Sequence, residues 1–132
     1  MTPRKIQTRP GGRGDARNRR LVAEKYLEVG ELTQDESGAA VNVTVGIAVL
    51  AGIAAGDAIC LAAIGERYSG PDHAAAADLL SRVDAAMGKR LRDLVELKPA
   101  SHYGSAILTT VDGKRAMRNA AALVIEAQKR TM

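Results

Sequence analysis

The segment from Ala39 to Ile64 leaves this chain few folds to choose from. It is apolar on nearly every side, built mostly of Ala, Val, Ile, Leu and Gly, and interrupted by Asn42, Thr44 and Asp57. A membrane span needs about 20 apolar residues, yet the longest run free of polar side chains is only Val45 to Gly56. An intramembrane Asp57 would also demand a partner. The segment therefore reads as the central buried helix of a bundle, and no membrane is expected as a partner. Gly46, Gly52 and Gly56 would let neighbouring backbones approach closely, within one protomer or across a dimer.

A chain of 132 residues supports one domain with one core. With no Trp, no Phe and only three Tyr, that core must be aliphatic and rich in alanine. Such a composition favours packed helices over a sheet sandwich, which would want β-branched and aromatic runs. The expected fold class is all-α, an antiparallel four- to five-helix bundle. Cys60 is the one cysteine, so an internal disulfide is excluded. It reads as a small buried hydrophobe in a reducing compartment. Arg4, Lys5 and Arg9 are followed by no apolar stretch of the secretory kind, so a cytoplasmic location is expected.

Charge is unevenly distributed. The formal net charge is +4, but residues 1–20 carry seven basic side chains against the single acid Asp15, leaving 12 basic against 14 acidic beyond them. The body is thus near neutral, unlike a uniformly basic nucleic-acid-binding domain. Residues 1–14, rich in Arg, Gly and Pro, read as a flexible tail, and residues 15–131 as the single helical domain. The tail would attract RNA, DNA or an acidic partner by counterion release, or simply solubilise the chain.

Along the body, Asp15 is the expected N-cap of a first helix reaching Leu32, with Val22, Tyr26, Val29 and Thr33 at helical spacing. After the long apolar helix, Ser69 and Asp72 match a capping box, with Pro71 in the first turn of a helix running to Met87. Gly88 would kink or break it, and a stretch from Lys89 to Leu97 would end before Pro99. Asp112 is the expected cap of a final helix to Lys129.

Two segments carry reactive side chains. In Gly65-Glu-Arg-Tyr-Ser-Gly-Pro-Asp-His73, Arg67 and His73 stand on either side of a helix break. Arg67 presents a permanent, bidentate cation suited to phosphate. His73 in the first turn of a helix is biased toward the neutral imidazole, which can take a proton at pH 7. Both also have ordinary roles: His73 covering a helix start, Arg67 pairing with Asp72 or Glu66 or reaching a buried Asp57. Asp57 needs a cationic partner if buried, with Arg67 or Lys98 nearest by topology. The second segment, Lys98 to Gly104, reads as a loop whose Lys98, His102 and Tyr103 flank the same cleft and bind substrate, unless Tyr103 tucks into the bundle. Two distant histidines and one cysteine show no metal-ligand spacing, and no cofactor motif is present.

The order of features, a small-residue helix, then Gly-Glu-Arg-Tyr-Ser-Gly-Pro-Asp-His, a helix, a loop bearing Tyr103-Gly104 and an alanine-rich last helix, resembles HEPN domains. These are small helical bundles of prokaryotic toxin–antitoxin and defence systems, and the composition suits the actinobacterial type. The resemblance covers roughly residues 18–130. It implies a homodimer in which two Arg-(four to six residues)-His motifs face each other as one metal-independent ribonuclease site. Arg67 and His73 fit that spacing, although Tyr68 replaces the polar residue often found after the arginine. Many such proteins lack catalysis, so the resemblance equally admits an inactive module that binds a cognate partner protein. A third possibility is DNA binding through residues 1–20.

Overall fold

In the computed structural model, which describes residues 5–132, six helices and a two-stranded ribbon follow one another. The strands are β1 (Thr8–Pro10) and β2 (Glu66–Tyr68); the helices are α1 (Arg13–Thr33), α2 (Ala39–Ile64), α3 (His73–Val83), α4 (Ala85–Glu96), α5 (Lys98–His102) and α6 (Thr110–Thr131). The molecule is an all-α bundle of five long helices with α5 and the ribbon at its edges.

The long apolar segment occupies the centre. Val45, Ala48, Val49, Ala51, Ala54, Ala55, Ala58 and Ile59 of α2 have no exposed surface. Although α2 is long and apolar enough to cross a membrane, most of it is covered by other helices. Its end is set by Gly65, whose φ of 70° is a left-handed value that other residues adopt poorly.

Named contacts give the helix directions. Arg19 near the start of α1 meets Asp57 near the end of α2, while Thr33 and Thr44 at the opposite ends share a 2.6 Å hydrogen bond. These two helices are therefore antiparallel. So are α1 and α6: Arg20 donates to Thr131 at 2.9 Å and Gln128 to Glu24 at 2.7 Å. Arg20 is almost fully buried, but Glu24 and Thr131 both accept from it, which offsets its desolvation.

Helices α3 and α4 form a hairpin around Asp84. That residue ends α3, and its carboxylate accepts from the Met87 N–H at 3.1 Å as the N-cap of α4. The break thus falls at Asp84, not at Gly88. Gly88 lies inside α4 where it passes α3; a Cβ there would sit 2.6 Å from the Ser81 Cα, so only glycine fits. Farther out, Arg92 pairs with Asp78.

Other helix starts differ from expectation by a consistent three residues. Asp15 and Asp112 are not caps but first-turn partners, three residues in, of Gly12 and Thr109, whose backbone N–H groups donate to them at 2.9 and 3.2 Å. Thr109 completes a reciprocal capping box by accepting from the Asp112 N–H. At α3 the cap is Asp72, which accepts from the Ala74 N–H at 3.0 Å, and Ser69 instead joins the ribbon through Gln7. Pro71 consequently precedes the helix. Pro99 does not simply end a helix: α4 stops at Glu96, and Pro99 lies in the opening turn of α5.

The basic N-terminal segment is not uniformly flexible. Arg4 lies outside the described residues, but Thr8–Pro10 pairs antiparallel with Glu66–Tyr68, and Arg13 already belongs to α1. Pro10 tolerates this because it sits opposite Glu66 in the pair that exchanges no hydrogen bonds; the flanking bonds, Gly11 N–H to Gly65 and Ser69 N–H to Gln7, are intact.

Candidate active site

The α3–α4 hairpin explains where His73 and Lys98 meet. Pairing about Asp84 sets Ser81 beside Gly88 and Asp78 beside Arg92, and carries the first residue of α3 to the first residue of α5. Lys98 Nζ lies 2.6 Å from His73 Nε2. A lysine ammonium has donors and no acceptor, so the imidazole accepts and its own proton resides on Nδ1. Burial and the Lys98 charge both push the His73 pKa below its ordinary value, against a smaller opposing pull from Asp72. At pH 7 the ring is therefore neutral.

The approach to His73 is fixed by Tyr68. Its hydroxyl accepts from the Asp72 N–H at 2.7 Å, while the Asp72 carboxylate caps α3. The phenol thus ties the ribbon to the turn that positions the histidine. Sequence reasoning noted Tyr68 only as an unusual neighbour of Arg67; the aromatic ring four residues before an N-cap was the available signal.

Arg67 takes a different direction. On the antiparallel ribbon, Thr8 Oγ1 donates to Glu66 Oε1 at 3.2 Å and Thr8 stands opposite Tyr68, so those side chains share one face. Alternation sends Arg67 to the other. There its charge acts on Asp57, and no hydrogen bond or ion pair joins Arg67 to His73 among the described residues.

Asp57 is buried, but the partner is neither Arg67 nor Lys98. Arg19 holds it, with Nε and Nη2 at 3.2 and 3.1 Å from Oδ2. Burial still raises the Asp57 pKa; the nearby charges of Arg19 and then Arg67 only reduce that rise. Asp57 is thus a buried carboxylate held by Arg19 of α1, with the Arg67 charge nearby. Arg19 escaped notice because it lies in the basic N-terminal region and the α1–α2 register is not visible in sequence.

The remaining candidates spread out. Lys98 to His102 is a short helix and not a loop. His102 Nε2 lies against α2 at Gly46, 3.2 Å from where a Cβ would stand. Tyr103 does not tuck into the bundle; it is 81% exposed, its ring 6.0 Å from that of His102. Cys60 is buried with its thiol pKa pushed up to about 12, which makes it inert as a nucleophile. A groove of about 530 Å³ between the N-terminal segment and α3 is walled by Tyr68, Asp72, Asp78 and Arg82, but by neither Arg67 nor His73. Its mixed charges do not suit a polyanion.

No family model and no curated protein matches this chain.

Proposed function

We propose that this protein is a HEPN-like bundle that binds RNA and cleaves it without a metal, acting as a cytoplasmic homodimer. The observation that carries the proposal is the neutral His73 held by Lys98 beside a conformationally fixed helix start. Lys98 turns from Nε2 to a phosphate oxygen when RNA binds, which frees the ring lone pair. His73 then takes the ribose 2′-hydroxyl proton; the 2′-oxygen attacks phosphorus and the bond to the 5′-oxygen breaks. The Lys98 ammonium of the second protomer protonates that leaving oxygen, and Arg67 supplies charge to the phosphate. His102 and Tyr103, at the exposed end of α5, contact the strand beyond it.

The test is incubation of wild type and His73→Ala with single-stranded and structured RNA in EDTA. Wild type is expected to leave 2′,3′-cyclic phosphate ends and the variant intact RNA. Intact RNA in both would overturn the nuclease assignment.

A second reading, a non-catalytic module for a cognate partner protein, is favoured by a specific surface. Leu21, Val22, Val29 and Leu32 are exposed on α1, Leu32 by 78%, and helical geometry places them within an arc of about 100°. An exposed apolar stripe of this kind suits protein contact. Divergence of Arg67 from His73 within a protomer also favours it. Co-purification of a stoichiometric partner with no RNA cleavage would select this reading.

A further inference from the structure

The ribbon pairs Arg9 with Arg67, Cα opposite Cα. They occupy the hydrogen-bonded position, because the flanking bonds fall two residues away on each side, at Gly11–Gly65 and Gln7–Ser69. Directly opposed residues project from the same face of a ribbon about 5.5 Å apart. Like charges in that position repel. Elsewhere the same ribbon uses complementary groups, as with Thr8 and Glu66.

Asp57, on which the Arg67 charge acts, gives its close contacts to Arg19 and is buried, while the Asp15 carboxylate beside Gly11 accepts from the Gly12 N–H. The Arg19 and Arg67 charges thus act on one carboxylate, and neither Arg9 nor Arg67 enters an ion pair among the described residues. Arg9 is exposed and Arg67 half-buried, so one fork is held by the fold while the other is free to close over a ligand. A tetrahedral anion with oxygens on two sides satisfies both forks at once.

We infer that Arg9 and Arg67 form a two-arginine clamp for a phosphodiester, with the N-terminal strand supplying half of the anion site. This inference rests on the RNA reading above and deepens it: Arg9 binds phosphate alongside Arg67 on the ribbon face away from Tyr68, and β1 belongs to the binding machinery. Arg19 is a positioning residue, since it occupies Asp57 and leaves Arg67 available.

The test follows the arginine Nε–H resonances of ¹⁵N-labelled protein during titration with a single-stranded RNA oligonucleotide and, separately, with inorganic phosphate. Both the Arg9 and Arg67 signals are expected to move with either ligand. Arg9→Gln and Arg67→Gln should each weaken RNA binding about tenfold and lower the salt slope by about 1. The backbone pairing of the ribbon is unchanged by either substitution, and an unaltered amide spectrum checks this. RNA binding that leaves Arg9 unmoved, with Arg9→Gln at wild-type affinity, overturns the clamp and keeps the RNA reading. Phosphate shifts at both arginines without RNA binding keep the clamp and overturn the RNA reading. No response to either ligand overturns both.

Discussion

Arg19 reaches from the second turn of α1 to a single oxygen of Asp57, placing two guanidinium nitrogens within 3.2 Å of it. The carboxylate is buried while the guanidinium remains one-third exposed. The two partners therefore differ in what their loss does. Arg19→Ala strands a buried charge and should cost about 2–3 kcal/mol at pH 7, measured by urea unfolding. Burial already raises the Asp57 pKa, so its folded state binds a proton more readily than the unfolded chain. Removing Arg19 raises it further. The destabilisation should therefore shrink as pH falls through that raised value toward 4, where the carboxyl becomes neutral. A penalty that stayed constant between pH 7 and pH 4 would contradict this assignment.

His73 obeys the opposite sign. Its folded pKa is depressed, so the unfolded chain binds the proton more readily below about 6.5 and stability falls as pH drops through that window. Lys98→Met removes one of the two causes. The His73 imidazole, followed by NMR, should titrate closer to its ordinary value in that variant, and the acid loss of stability should begin to flatten. An unmoved titration would mean that Lys98 does not contact the ring in solution.

Tyr68→Phe deletes the acceptor of the Asp72 N–H without changing the ring that packs on the core. A loss of about 1 kcal/mol is expected. If RNA cleavage occurs, its rate should fall more than RNA affinity does, because His73 is misplaced while Arg67 is untouched. Equal losses in rate and affinity would place Tyr68 elsewhere in the mechanism.

Two glycine substitutions should have opposite effects. A Cβ at Gly52 would lie 2.5 Å from Leu94 Cδ1, and Leu94 has no exposed surface into which to retreat. Gly52→Ala should destabilise by about 1–2 kcal/mol despite better helix propensity. Gly14 in α1 has nothing within 4 Å of a new Cβ, so Gly14→Ala should stabilise by about 0.5 kcal/mol. Thermal unfolding of both variants reads the two signs directly.

The central helix was legible because its burial leaves a continuous chemical record: Ala39–Ile64 forms as read, at both ends. The acidic residues near helix starts were legible as signals but not as positions, since Asp serves both as a cap, at Asp72 and Asp84, and three residues inside one, at Asp15 and Asp112. The ribbon left no trace. Strands of three residues are too short to show alternation, and their pairing spans 58 residues from Thr8 to Glu66. Lys98 could be placed near His73 only by topology, whereas the partnership of Asp57 with Arg19 depended on the register of two helices. Composition does not encode that register.

The shared cap at Asp84 acts as the crease of a folded ruler. Everything that brings His73 to Lys98 is counted outward from that crease, and each helical residue advances the count by about 100° of rotation. One residue inserted into α4 would keep every side chain of the pair yet swing the lysine off the imidazole. Homologous chains that preserve both residues but differ in hairpin length would then have the same ingredients and no dyad. Chain length between His73 and Lys98, more than the identity of either, becomes the quantity to compare.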